Sequence, residues 1–95
     1  MIEMKRFRLS SGTDEEAFRE ADRRVQAEFA YRQAGLLRRT VARSDDGTWI
    51  VIDLWRSADA ADAAGQRWGR DPATTVFMSL VDADSVRTER YTELD

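Results

Sequence analysis

The chemistry open to this chain is limited by the residue types that it lacks. The 95-residue sequence contains no histidine and no cysteine, which removes the commonest general base and metal ligand and every thiolate. Carboxylates, arginines, tyrosines and hydroxyl groups remain. The first candidates are Arg39 and Asp53, because they lie in strand-like segments on either side of a tight turn, SDDGT at residues 44–48.

That turn predicts which residues face each other across the hairpin. A type I turn over Asp45 and Asp46, with Gly47 in the left-handed conformation, is the usual three-residue loop with a bulge. Ser44 then lies opposite Thr48. The partners on one face are Arg43 with Trp49, Val41 with Val51, Arg39 with Asp53 and Leu37 with Trp55, and those on the other are Ala42 with Ile50, Thr40 with Ile52 and Arg38 with Leu54. A two-residue turn would shift every partner by one position.

The Arg39–Asp53 pair has two interpretations. A buried carboxylate facing a guanidinium is tolerated when the two are hydrogen-bonded, so the pair can belong to a structural interface without adding stability over an apolar pair. It can instead orient a ligand. The second interpretation predicts that Asp53→Asn abolishes binding without changing assembly.

Periodicity predicts the outer strands and the first helix. Side chains alternate in polarity over residues 2–9 and again over residues 85–93, as in half-buried strands. Thr13 followed by Glu16 is a capping-box pattern, and it predicts a helix that runs to about Ala34 and ends at Gly35. Segments 36–43 and 48–56 are the two strands of the hairpin.

The C-terminal half predicts two more helices. Ser57 is a suitable cap for an alanine-rich helix that runs to about Trp68, and Asp71 with Pro72 begins a third. The resulting order, βαββααβ, predicts a single α+β domain over residues 1–95. We expect a ferredoxin-like antiparallel sheet whose first and third strands are central and whose helices cover one face.

The third strand has two apolar faces, and only one of them can meet the helices. Ile50, Ile52 and Leu54 are expected beneath the helices. The opposite face would then lack a cover and form an interaction surface. Its predicted members are Met4, Leu37, Arg39, Val41, Trp49, Val51, Asp53 and Trp55.

Two stretches resemble the dimeric α/β-barrel proteins related to the antibiotic biosynthesis monooxygenases. They are DGTWIVIDLWRSADAADAA, residues 46–64, and DPATTVFMSLVDADSV, residues 71–86. The resemblance covers most of the chain in order and length, but its motifs form the fold and are not catalytic. It implies a homodimer in which two sheets pack face to face, so that a second copy covers the surface containing Trp49 and Trp55.

The resemblance also implies a substrate cavity between the sheet and its helices. The candidates for that cavity are Phe29, Arg32, Arg38, Thr40, Trp68 and Phe77. Arg38 could hold a ligand carboxylate or phenolate there, or simply extend past the helix end into water. For Trp68 and Phe77 the favoured alternative is a place in the core, because aromatic residues on a helix stripe bury a large area.

Departures from the family restrict the activity that the resemblance implies. Its quinone-forming and haem-degrading members resemble one another in using a sheet asparagine and a tryptophan on the second helix, and the haem degraders add a histidine. This chain has no asparagine and no histidine, and Ala64 stands where the helical tryptophan would lie. Haem degradation is therefore not expected. Cofactor-independent oxygenation of a reactive phenol, without metal, stays open because such a substrate needs mainly positioning and charge stabilisation.

Charge and composition limit the partners. The net charge of −3 and the pI near 5.0 disfavour nucleic acid, which requires a basic surface. No apolar run is long enough for a membrane span, and the N-terminus is unlike a secretory signal, so a cytoplasmic protein is expected. We expect a homodimer with a small hydrophobic or aromatic ligand and no cofactor. The alternatives are a structural or regulatory dimer without a ligand and, remotely, a platform for single-stranded RNA.

Overall fold

The computed structural model describes residues 1–95 and has the predicted βαββααβ order. The strands are β1 (Ile2–Phe7), β2 (Leu36–Arg43), β3 (Trp49–Trp55) and β4 (Arg87–Tyr91). The helices are α1 (Glu15–Glu28), α2 (Ala58–Trp68) and α3 (Pro72–Ser79), with short 3-10 turns at Ala30–Arg32 and Ala83–Ser85. No helix has the length and apolar character needed to cross a membrane.

The four strands form one antiparallel sheet in the order β2-β3-β1-β4. The predicted ferredoxin-like fold, with the first and third strands central, is therefore confirmed. The hairpin register is confirmed from Arg43 opposite Trp49 to Arg38 opposite Leu54, and Gly47 has the expected positive φ of 86°. The exception is Leu37, because a bulge between Leu36 and Arg38 places Leu36 opposite Trp55 instead.

The ends of α1 differ from the prediction. Asp14, not Thr13, caps the helix, since its carboxylate accepts a hydrogen bond from the backbone N–H of Ala17 at 3.3 Å. The helix ends at Glu28 because Phe29 leaves helical geometry and is buried. The 3-10 turn at Ala30–Arg32 and an extended residue then lead to Gly35, whose φ is 89°.

The other two helices begin where the sequence predicts. The Ser57 hydroxyl accepts from the N–H of Ala60 at 3.1 Å, and Asp71 accepts from the N–H of Ala73 at 2.8 Å ahead of α3. Thr74 is fully buried, and its hydroxyl donates to the carbonyl of Trp68. This contact fixes the start of α3 against the end of α2.

The predicted orientation of the sheet faces is wrong. Trp49, Val51 and Trp55 are buried against the helices, with Trp49 packed on Phe18 of α1 at 4.7 Å between ring centroids. Arg39 and Asp53 lie on this same face, and Val41 packs against its core. The two tryptophans bury more apolar area than the aliphatic row does, so the helices cover the tryptophan side.

The uncovered face instead carries the aliphatic row of β3. Ile52 is 36% exposed, and Ile50 and Leu54 are partly buried. Met4 lies opposite Ile52 and belongs to this open face, as predicted. Its neighbours there are the aliphatic residues of β3 and not the predicted tryptophans. Leu37, in the bulge, is 51% exposed.

Candidate functional site

A cavity of about 680 Å³ lies between the helix side of the sheet and the helices. The alanines and glycine of α2 leave this space, because Ala61, Ala64 and Gly65 present almost no side chain to the sheet beneath them. The other apolar lining residues come from the strands or their flanks, from Phe29 just after α1, from Trp68 at the end of α2 and from α3. They include Phe7, Phe29, Leu36, Val51, Trp55, Trp68, Phe77, Met78, Val81 and Val86.

Trp68 is held in place at one wall by two phenylalanines. Its ring makes edge contacts with Phe29 at 5.4 Å and with Phe77 at 5.6 Å between centroids, both close to perpendicular. Such edge-to-face contacts add to the area that the rings bury. The wall is therefore a fixed aromatic surface suited to a flat apolar ligand.

A row of four charged residues crosses the floor of the cavity. These residues lie opposite one another on neighbouring strands: Arg39 on β2 faces Asp53 on β3, which faces Glu3 on β1, which faces Arg90 on β4. All four line the cavity. Cross-strand partners in an antiparallel sheet share a face, so the order of charges across the sheet is positive, negative, negative, positive.

Asp53 is the residue of this row that lacks a hydrogen bond. It is only 7% exposed, and its buried Oδ1 has no donor. The nearest cationic atom is Arg39 Nε, 3.9 Å from Oδ1. Burial raises the pKa of the Asp53 carboxyl; Lys5 and Arg39 oppose that rise, while Glu3 and Asp22 add to it.

Arg39 is held by α1 instead of by its strand partner. Its Nη2 donates to Asp22 at 2.7 Å and its Nη1 to Gln26 at 3.3 Å. The backbone N–H of Arg39 also donates to the hydroxyl of Tyr31 at 2.9 Å. These contacts fix the guanidinium beside Asp53 without closing a hydrogen bond to it.

The opposite end of the row is fully paired. Arg90 donates from Nε to Glu3 at 2.8 Å, and its Nη1 lies 2.8 Å from Asp62 on α2. Lys5 lies 3.5 Å from the other oxygen of Glu3 and 5.2 Å from the centre of the Trp68 ring. Because Arg90 and Asp62 are both exposed residues of the lining, their ion pair joins β4 to α2 where the cavity meets solvent.

A second buried polar atom also has no partner. The indole nitrogen of Trp55 lies among apolar side chains with no acceptor. A buried donor left unpaired costs about 1–3 kcal/mol. Trp55 and Asp53 are two residues apart on one face of β3, so both unpaired groups belong to the same strip of the cavity floor.

The structure brings together half of the predicted pocket residues. Phe29, Trp68 and Phe77 line the cavity. Arg38 and Thr40 do not, because their partners Leu54 and Ile52 place them on the open face. Arg32 lies exposed in a 3-10 turn outside the lining.

The residues that were assigned to a dimer surface account for much of the floor. Arg39, Val51, Asp53 and Trp55 line the cavity, whereas Val41 and Trp49 pack in the adjoining core. Sequence reasoning missed Glu3, Lys5, Asp62 and Arg90. The signal for Glu3 and Lys5 was their spacing of two on the first strand, which puts both on one face, but choosing that face requires the β1–β3 register. The structure contains no group of three or more acidic residues arranged to hold a metal ion.

The fold and the cavity define a ferredoxin-like domain with a ligand-sized space beneath its helices. No protein-family model matches the chain, and no curated protein shows a significant sequence match. Among solved structures, the chain is similar to SnoaB, a cofactor-independent oxygenase from Streptomyces nogalater. The identity is 24%, the TM-score is 0.80, and the match covers 99% of this chain and 92% of SnoaB.

Two other solved structures support the same fold. A proposed antibiotic biosynthesis monooxygenase from Nitrosomonas europaea matches with a TM-score of 0.75 at 16% identity, over 99% of this chain and 98% of that one. Another from Chloroflexus aurantiacus matches with a TM-score of 0.69 at 16% identity, over 99% and 94%. The predicted resemblance to antibiotic biosynthesis monooxygenase-like proteins is thus confirmed at the level of the fold.

Proposed function

We propose that this protein binds a small aromatic metabolite in the cavity beneath its helices. The observation that carries the proposal is an apolar cavity of about 680 Å³ whose floor contains a buried carboxyl without a hydrogen-bond donor. Ligand sites are mostly apolar clefts of about 300–1,000 Å³ with a few placed polar groups. A protein that served only as a structural dimer would gain nothing from such a space, since empty volume lowers stability.

The walls favour a flat, hydrophobic ligand with at least one polar substituent. Trp68 and Phe77 offer ring surfaces, and Ala61 and Ala64 leave room beside Trp55. The charged row provides the polar end of the site. A wholly apolar ligand would bury these charges without compensating them.

Cofactor-independent oxygenation is the second candidate function, and the likeness to SnoaB favours it. In this chemistry a substrate carbon next to a phenol or ketone loses a proton, and the resulting carbanion reacts with molecular oxygen. One oxygen atom enters the substrate as a carbonyl, and the other leaves as water. The chain would contribute Asp53 as the proton acceptor and nearby cations to stabilise the anion.

A homodimer formed through the open sheet face completes the proposal. That face has no helix over it and carries a central apolar patch of Ile2, Met4, Ile50, Ile52 and Leu54. Arg38 and Thr40 lie on its β2 edge. An apolar patch with a polar edge is typical of an interaction surface, and a second copy of the same face is its most direct cover.

A ligand screen by thermal unfolding tests the binding proposal. Hydroxylated naphthalenes, anthracenes and flavones should raise the melting temperature, because a ligand that binds only the folded protein stabilises it. Ala64→Leu fills the cavity, and Ala63→Leu is the matched control on the same helix outside the lining. We expect Ala64→Leu to weaken binding at least about tenfold and Ala63→Leu to leave it unchanged. Equal effects of the two variants, or a panel without any stabilising compound, would contradict ligand binding in this cavity.

Oxygen uptake tests the second candidate. Each compound that binds is incubated with the purified, chelator-treated protein in an oxygen electrode. Consumption of one O2 per carbonyl product, lost in Asp53→Asn, supports oxygenation. Binding without oxygen uptake across the panel would leave a binding protein and remove the oxygenase function.

A further inference from the structure

Two acidic residues are buried in the cavity floor, and only one of them is neutralised. Glu3 receives a hydrogen bond from Arg90 at 2.8 Å and has Lys5 at 3.5 Å. Asp53, its direct strand partner, receives no hydrogen bond although it is 7% exposed. A buried carboxylate without a hydrogen bond is costly unless a ligand donates a hydrogen bond to it or a proton neutralises it.

The cations around Asp53 are already committed to other groups. The terminal nitrogens of Arg39 bond to Asp22 and Gln26 on α1, which leaves its Nε 3.9 Å from Asp53. Lys5 is held by Glu3 and the face of Trp68. The protein therefore places two cations near Asp53 but no donor that reaches it.

The ion pairs around the cavity floor form two separate groups, and the group around Arg39 has one carboxylate in excess. Lys5 and Arg90 are paired with Glu3 and Asp62, whereas Arg39 alone is shared by Asp22 and Asp53. Uptake of one proton by Asp53 would make the Arg39 group neutral, which favours Asp53 as the acceptor of a proton from a ligand. Burial, which raises the pKa of Asp53, acts in the same direction.

We propose that Asp53 and Lys5 form a subsite for an acidic hydroxyl group of the ligand, a phenol or an enol. The carboxylate of Asp53 accepts the hydroxyl hydrogen. When the proton moves, the ligand O–H bond breaks, its electron pair stays on the ligand oxygen, and the proton binds to an Asp53 oxygen. Lys5 stabilises the oxygen that carries the resulting negative charge.

This subsite names the class of ligand, and it rests on the proposed function because the ligand must occupy the cavity. It selects for hydroxyl groups over carboxylic acids. A carboxylic acid is ionised before it enters and would bring a second negative charge next to Asp53. An ether of the same shape fits the walls but has no hydrogen to donate.

Equilibrium dialysis with 1-naphthol and 1-methoxynaphthalene separates the subsite from the cavity. The two compounds share one ring system and differ in the donor. Wild-type protein should bind 1-naphthol at least about tenfold more tightly, as a hydrogen bond to a charged group predicts. Asp53→Asn should remove that preference while binding the ether as the wild type does, which also shows that the variant is folded. Lys5→Met should reduce the preference and keep ether binding.

Each other outcome has a definite meaning. Equal binding of the two compounds by the wild type, or a preference that survives in Asp53→Asn, overturns the subsite and leaves the cavity as an aromatic site. Failure of the wild type to bind either compound overturns the subsite together with the aromatic cavity on which it rests.

Discussion

Arg39 and Asp53 occupy directly opposite positions on β2 and β3, yet no hydrogen bond joins their side chains. The Arg39 Nε to Asp53 Oδ1 distance is 3.9 Å, whereas Arg39 Nη2 reaches Asp22 on α1 at 2.7 Å. The helix thus holds the guanidinium that the neighbouring strand would otherwise pair. Asp53 stays beside Arg39 with no hydrogen bond to either of its oxygens, and this arrangement leaves room for the hydroxyl of a ligand.

Asp22→Asn should lower the pKa of Asp53. The substitution removes a negative charge that raises this pKa, and it weakens the contact that holds Arg39 to α1. Carbon-detected NMR of the side-chain carboxyls, followed from pH 3 to pH 9, measures the change. Glu16→Gln is the control on the exposed side of the same helix. Replacing the charged acceptor of Arg39 by a neutral amide oxygen should also cost about 1 kcal/mol of unfolding free energy. An unchanged Asp53 titration would show that Asp22 does not control the carboxyl.

Asp53→Asn should stabilise the protein relative to the wild type, and the gain should grow with pH. The folded-state pKa of Asp53 is raised above its unfolded value of 3.8, so the folded protein binds more protons than the unfolded chain between those two values. Wild-type stability therefore falls as pH rises from about 3.8 to the folded-state pKa. Asparagine does not titrate and removes this loss. Urea unfolding of both proteins from pH 4 to pH 8 measures the difference, and a gap that stays constant with pH would contradict the raised pKa.

The local elements were predictable because their signals are short in range. The start of α2 is specified locally by Ser57, and the start of α3 by Asp71 with Pro72. Gly47 provides the positive φ that the hairpin turn requires, and the turn then specifies that Arg39 lies opposite Asp53. Each of these depends on contacts within a few residues, which periodicity and capping rules describe.

The orientation of the sheet was not predictable from the same signals. β3 is apolar on both faces, so alternation does not identify the buried side. The face of Asp53 was predicted to be uncovered, but Asp53 lies on the helix side and forms part of the cavity floor. The sequence pattern failed at this strand because Asp53 is a buried charge, and charged residues are normally exposed. Such exceptions are concentrated at functional sites.

The charged row needed tertiary information. Glu3 and Arg90 lie 87 residues apart in sequence and meet only because β1 and β4 are neighbours. In the chain, helices separate β1 from β3 and from β4, so no turn specifies the β1–β3 and β1–β4 registers. Phe29, Trp68 and Phe77 were predictable because each belongs to a helix or helix end whose apolar side must face the sheet.

Gly35→Ala should destabilise the fold more than Gly12→Ala. Both glycines have positive φ, 89° and 79°, so alanine is strained at either site. A Cβ at residue 35 would also lie 2.6 Å from the Cβ of Ala60 on α2, whereas residue 12 has open space. We expect Gly35→Ala to cost about 1–3 kcal/mol more than its control, the usual range for overpacking. Chemical denaturation measures both. Equal costs would mean that α2 can move away from residue 35 without loss of stability, and the cavity beside it would then be easily deformed.

Ile52→Glu should convert the proposed dimer to a monomer. Ile52 is 36% exposed at the centre of the open face, opposite Met4, while Val76 on α3 is a similarly exposed aliphatic residue elsewhere, at 44%. In a two-fold interface the substitution places two carboxylates at the centre of the contact. Burying an unpaired charge costs about 3–5 kcal/mol, which weakens association more than about a hundredfold.

Sedimentation equilibrium over a range of protein concentrations measures the association, with Val76→Glu as the control. We expect wild type and Val76→Glu to be dimers and Ile52→Glu to be a folded monomer, with ligand binding retained because Ile52 lies on the side of the sheet away from the cavity. A dimer that persists in Ile52→Glu would assign the interface to another surface. A monomeric wild type would leave the open face uncovered in solution and remove the dimer from the proposed function.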